Sequence, residues 1–231
     1  MSNILYKKDL IFNFDQYQFI YKALENGECV HEKIYNNLSQ YNYLFSIYEH
    51  LIIFRIICSK EESSELLKNK NDVLNNIENE YKIKIIQLKS ENDNIVIFHV
   101  IYNTIIPHTH DDFISALTKL TTYLNVGKPQ SFEYNIRILI PNIIADIITS
   151  SPINDIIKIK KYIYRSILPS SNEKLIKMRG DLNQLKEAYI KITEIMMDTK
   201  KNNNYMTVFY NPSKNIFLNF NKIDKIFDNY C

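Results

Sequence analysis

The sequence predicts an α+β protein in which a β-α-α-β-β-α unit occurs twice in tandem. Three observations carry this. Residues 174–192, KLIKMRGDLNQLKEAYIKI, set a glycine between an apolar alternation suited to a strand and a run of helical periodicity. The stretch 52–124 places its elements in the same order as the stretch 135–197, the self-similarity that marks a duplicated unit. Between the two lies NVGKPQ, whose Gly127 and Pro129 read as a connection.

In the first copy IIFRIIC (52–58) is the opening strand and KEESSELL (60–67) a short helix. KNKN (68–71) breaks the helix, and DVLNNIENE (72–80) resumes it. YKIKIIQL (81–88) and NIVIFHVI (94–101) are strands joined by the turn KSEND. DDFISALTKLTTYL (111–124) closes the copy as a helix with Phe113, Leu117 and Leu120 on one face.

The second copy opens with NIRILIP (135–141), with Ile136, Leu139 and Ile140 offered to a core. NIIADIIT (142–149) is a short helix capped by Asn142. SSP then breaks the chain, with Pro152 suited to the first turn of a helix over INDIIKIKK (153–161). YIYRSIL (162–168) is the next strand, PSSNE a turn, and KLIKMRG (174–180) the last strand. Gly180 fits a position needing unusual dihedrals, and Asp181 with Gln184 forms a helix-capping box. Leu182, Leu185, Ala188, Ile192 and Ile195 continue at helical spacing.

These motifs resemble, twice, the type I KH domain of the hnRNP K and poly(C)-binding families. FRIICSKEESSELL and IRILIPNIIADII match the family's opening, and KLIKMRGDLNQLKEAYIKITEI matches its strand, glycine and alanine-containing helix. The resemblance implies two tandem domains, each a three-stranded antiparallel sheet backed by three helices. Their expected spans are 51–124 and 134–197, joined by a linker at 125–133. Residues 1–50 would be an aromatic-rich, mainly helical extension containing QYQFIYKALEN and LSQYNYLFSIYE, whose aromatics suit burial against a neighbouring domain. Residues 198–231 would add a hairpin, YMTVFYNPSKNIFLNF, and a short helix around KIDKIF.

KH proteins grip single-stranded RNA through a Gly-x-x-Gly loop whose main chain approaches the sugar–phosphate backbone. The corresponding loop of the first copy holds Lys68, Asn69, Lys70 and Asn71, with two lysines in place of the glycines' close approach. The second holds Thr149, Ser150, Ser151 and Pro152, without a basic residue and with one amide donor fewer. Around the base-binding groove, the resemblance assigns Lys160 and Lys174 in the second copy and Lys84 in the first, where Glu78 and Asn94 replace the other basic positions. Leu66, Leu67, Leu74, Ile83, Ile147, Ile148 and Ile156 line the groove in the family and read first as core residues.

The implied function is a single-stranded-RNA-binding regulator or adaptor in mRNA processing, meiotic splicing included, or in mRNA localisation. Its partners would be RNA and proteins of an mRNA-processing complex. The competing class is an interaction scaffold derived from KH units that no longer hold RNA; binding of single-stranded DNA is a third reading. No nucleophile motif, P-loop or dinucleotide fingerprint is present, and three glycines leave little to build one, so neither enzymatic activity nor a cofactor is expected.

The bulk numbers agree with a folded protein that has no general affinity for polyanions. Hydrophobic residues make up 45% of 231, enough for a core, and the net charge of +2 requires any nucleic-acid contact to come from local patches. MSNILYKKDLIFNFD meets charge before an apolar stretch develops, and the apolar runs are broken by Arg55 and Asp146, so neither signal peptide nor membrane span is expected. Cys29, Cys58 and Cys231 are widely spaced and read as reduced thiols of a nuclear or cytoplasmic protein. His108, His110, Asp111 and Asp112 in PHTHDDF read as a loop and helix cap, because no distant Cys or His pair completes a zinc site.

Overall fold

A computed structural model describes residues 14–30, 48, 50–68, 72–88, 94–104, 109–126, 133–150, 159–164, 167–203 and 207–212. In chain order it contains helix α1 (Phe14–Glu25), strand β1 (Leu51–Ser59), helices α2 (Ser64–Leu67) and α3 (Asp72–Tyr81), and strands β2 (Lys84–Gln87) and β3 (Ile95–Asn103). Helix α4 (Thr109–Leu124), strand β4 (Tyr134–Pro141) and helix α5 (Asn142–Thr149) follow, then strands β5 (Lys160–Ile163) and β6 (Glu173–Gly180) and helix α6 (Leu182–Asn203).

The expectation of two domains with separate three-stranded sheets is overturned. All the strands belong to one six-stranded antiparallel sheet in the order β2-β3-β1-β4-β6-β5. β1 pairs with β4 through Arg55↔Leu139 and Ile56↔Ile138. The physical reason lies in those two strands: a separate sheet would leave each as an edge of unpaired backbone groups and buried-type side chains, and pairing them removes both edges. Within the described residues β2 and β5 form the remaining edges.

The strands carry apolar residues on both faces, so the sheet needs two covers. Period-two alternation sends Ile52, Phe54, Ile56 and Cys58 of β1 to one face with Ile136, Ile138 and Ile140 of β4. Helices α2 to α6 supply that cover through Leu66, Leu74, Phe113, Leu117, Ile144 and Leu185. Phe54 is the meeting point, with its ring edge-on to those of Phe113 and Tyr189. Thr121 Oγ1 and Tyr189 OH, 2.6 Å apart, tie α4 to α6 across the two halves.

The opposite face is covered from outside the repeats. Tyr17, Ile20, Ala23 and Leu24 of α1 pack on Leu51, Ile53, Ile86 and Ile101. Tyr210 packs on Ile57, Leu139 and Leu175. Residues 207–212 are anchored by Val208, whose amide donates to Asn172 Oδ1 at 2.8 Å, and by Asn211, whose side chain donates to the carbonyl of Gly27 at 3.3 Å. Gly27 has φ of +65°, which favours glycine, and a Cβ there would displace the Asn211 side chain that bonds its carbonyl.

Several local expectations also change. Lys160 and Lys161 belong to β5 and not to the end of a helix, because they pair with Arg179 and Met178 of β6. Asn142 is the first residue of α5, preceded by Pro141, and its side chain bonds Asp146 Oδ2 at 3.0 Å without capping the backbone. Residues 60–63, expected to open the first short helix, form a turn before α2. Within the hairpin expected near the C-terminus, the described residues 207–212 contain no strand, and most of the helix expected over 38–49 lies outside the described residues.

Candidate nucleic-acid interface

The first candidate region begins where β1 leaves the sheet. Ser59 and Glu62 cap each other's backbones, with the Ser59 amide donating to Glu62 Oε2 at 2.9 Å and the Glu62 amide donating to Ser59 Oγ at 3.1 Å. This fixes the exit angle into α2, whose Leu66 is fully buried. Lys68 follows with helical dihedrals, its exposed ammonium paired with Glu65. Asn69, Lys70 and Asn71 lie outside the described residues.

Helix α3 buries Leu74 and Ile77 and ends at Tyr81, and the next residue, Lys82, with φ of 50°, reverses the chain in the left-handed region. Glu78 then ties α3 to the edge strand: its carboxylate accepts from the Ile85 amide at 2.6 Å and from Lys84 Nζ at 2.9 Å. Lys84 is the first residue of β2 and remains 40% exposed.

In the second half the hydroxyls of Thr149 and Ser150 turn back onto α5. Thr149 Oγ1 donates to the carbonyl of Asp146 at 2.9 Å, and Ser150 Oγ donates to that of Ile147 at 2.6 Å. Their protons go to carbonyls that also accept from the Ser150 amide, so the hydroxyls are held on the helix end, and a helix C-terminus disfavours a phosphate. Ser151, Pro152 and Ile156 lie outside the described residues. Lys174 joins this end, with Nζ 2.9 Å from Asp146 Oδ1 and the side chain 16% exposed.

Lys160, 52% exposed, is the first residue of β5 and lies 3.7 Å from Glu133 Oε1. It pairs with Arg179, whereas Lys174 lies level with Ile140 at the other end of β6. Five residues of strand separate those levels, about 17 Å at roughly 3.4 Å per residue. The structure therefore ties Lys174 to Asp146 in the last turn of the helix that ends at Thr149, and leaves Lys160 apart. The apolar groove candidates Leu66, Leu74, Ile83 and Ile148 are buried, while Leu67 and Ile147 are half-buried.

The residues that sequence reasoning missed sit inside the sheet. Arg55 and Arg137 occupy matching places in β1 and β4, and each reaches across the joint between the halves. Arg55 Nη1 pairs with Glu173 of β6, and Arg137 Nη1 holds both carboxylate oxygens of Glu62 at 2.8 and 3.0 Å. Arg55 Nη2 also donates to the carbonyl of Tyr210 at 2.8 Å, and the Tyr210 amide donates to Glu173 Oε2 at 2.7 Å. The readable signal was an arginine inside an apolar run at the same place in both copies.

A cavity of about 30 Å3 opens beside this network, lined by Tyr48, Leu51, Pro141, Glu173, Lys200 and Phe209 among others. That volume holds about two water molecules. Among the described residues, no group of three or more His, Cys, Asp or Glu is placed to hold a metal ion, and no helix is long and apolar enough to cross a membrane. No protein-family model matches the chain, and no curated protein matches it.

Proposed function

We propose that the protein is a non-enzymatic regulator or adaptor that binds single-stranded RNA. One observation carries the reading: each edge strand of the sheet begins with a lysine that reaches solvent, half-buried Lys84 of β2 and exposed Lys160 of β5. Their ion pairs with Glu78 and Glu133 are partly exposed, and such pairs contribute about 1 kcal/mol or less, so a phosphate can replace the carboxylate. Lys68, at the break between α2 and α3, is open in the same way. The KH-like motifs point to the same ligand, through sequence and element order and not through separate sheets. A role in mRNA processing, meiotic splicing included, or in mRNA localisation rests on that resemblance.

The test is fluorescence anisotropy with short random single-stranded RNAs across a salt series. Wild-type protein is expected to bind, and Lys84→Glu with Lys160→Glu to weaken binding across sequences and flatten the salt dependence by about one unit of slope per lost phosphate contact. Absence of binding, or binding untouched by the double substitution, overturns the proposal.

A second reading, a protein-interaction scaffold, is favoured by the inward-turned hydroxyls of Thr149 and Ser150 and by the carboxylate held on Lys174. Partners that stay bound after RNase treatment, with no RNA crosslinked to the chain, would select it. Competition between matched RNA and DNA oligonucleotides separates RNA binding from single-stranded DNA binding.

A further inference from the structure

Resting on the RNA-binding reading above, we infer that the partner is a single RNA whose two unpaired segments are folded back beside each other by an intervening stem-loop. The strand order β2-β3-β1-β4-β6-β5 reads the same from either end once the halves are exchanged. β1 and β4 are antiparallel about the Ile56↔Ile138 pair, and the helices of both halves bury side chains in one core on one face. A half-turn about an axis normal to the sheet at that pair therefore carries β1 onto β4, β3 onto β6 and β2 onto β5. Such a rotation keeps both candidate surfaces on the same side while reversing chain direction. A ligand with polarity, held in the same way by each half, must then run in opposite directions on the two.

The spacing adds a second constraint. Lys84 and Lys160 stand on opposite edges, five interstrand steps apart, about 24 Å across the sheet at roughly 4.8 Å per step, and near opposite ends of the strands, level with Pro141 and Asn135 of β4, about 20 Å along them at roughly 3.4 Å per residue. A short uninterrupted strand running in one direction cannot serve both. The relation is also fixed, since Arg55–Glu173, Arg137–Glu62 and the Thr121–Tyr189 hydrogen bond all cross the joint. Two domains on a flexible linker would accept any arrangement of segments; this sheet accepts one.

The experiment starts from the short segment enriched out of a random single-stranded RNA pool by the full chain. Two copies of that segment are then placed as the 5′ and 3′ tails of one hairpin, which holds them antiparallel. In the comparison RNA the same copies flank a spacer annealed to a complementary strand, a rigid rod that points them apart. The hairpin form is expected to bind about a hundredfold more tightly than a single segment, through effective concentration, and the rod form no better than a single segment. Lys68→Glu with Lys84→Glu should remove the hairpin's gain. Equal affinity of hairpin and rod forms, or no gain over a single segment that itself binds, overturns this inference and leaves RNA binding standing. Failure of any segment to enrich or bind removes both.

Discussion

His99 is fully buried at the centre of β3, and neither of its ring nitrogens has a hydrogen-bond partner. It lies opposite Arg55 in the sheet register and edge-on to the ring of Phe209 at 5.8 Å. Burial first, and the neighbouring Arg55 charge second, hold its pKa well below the ordinary 6.5. The unfolded chain therefore takes up a proton near pH 6.5 that the folded chain refuses. Stability from this residue is complete above that pH and declines as pH falls below it, by at most about 1.4 kcal/mol per pH unit. Glu173, raised by burial despite Arg55, acts in the opposite sense: its contribution is present at low pH and is lost as pH rises above the ordinary 4.5. The difference between wild type and His99→Phe isolates the histidine. Urea midpoints should fall between pH 6.5 and 5 more steeply in wild type than in His99→Phe, and parallel curves would remove the assignment. Nothing at sequence level exposes His99, because NIVIFHVI is an acceptable strand with histidine on either face, and only the fold puts Arg55 beside it.

At the scale of the element, the junction of β6 and α6 shows a motif legible in sequence for a partly wrong reason. Asp181 and Gln184 do form the capping box: the Gln184 amide donates to Asp181 Oδ1 at 2.9 Å, and the Asp181 amide donates to Gln184 Oε1 at 3.0 Å. Gly180, however, ends a strand without a left-handed φ, and among the described residues Gly27 is the glycine with positive φ. What Gly180 supplies is room, since a Cβ there would lie 2.7 Å from Gln184 Oε1 and 3.1 Å from Ile159. Gly180→Ala should therefore act by displacing the cap. Both Gly180→Ala and Asp181→Ala are expected to cost about 1 kcal/mol, and the double variant clearly less than their sum, because both remove one cap. Additive losses in urea denaturation would show that the glycine acts independently. The strands at 52–58 and 94–101 were legible because apolar, largely β-branched residues fill them, and that at 174–180 because Leu175, Ile176 and Met178 set an apolar pattern that suits a strand. The strand expected at 162–168 starts earlier, as β5 at Lys160–Ile163, because the lysine-rich KIKKYI has a weak periodicity that only pairing with β6 resolves.

The scale at which sequence reading failed is the whole molecule. Local patterns specify each half, but a strand that borders its own sheet and one that borders another half carry the same two-sided apolar run. The remaining clue was the pair of matching arginines, whose acids come from the opposite half. Removing either partner would leave a buried charge, so the joint favours complete assembly over partial structure. The halves also share Phe54, Phe113 and Tyr189 in one core. Unfolding should then be a single cooperative event. Ile85→Val in β2 and Ile176→Val in β6 remove one buried methylene from each half, and each should lower stability by about 0.5–1.5 kcal/mol. Both should shift the same urea transition, with far-UV circular dichroism and tyrosine fluorescence reporting one midpoint in each protein. Two transitions, each moved by only one substitution, would mean that the halves fold independently and that the β1–β4 pairing does not bind them into one structural unit.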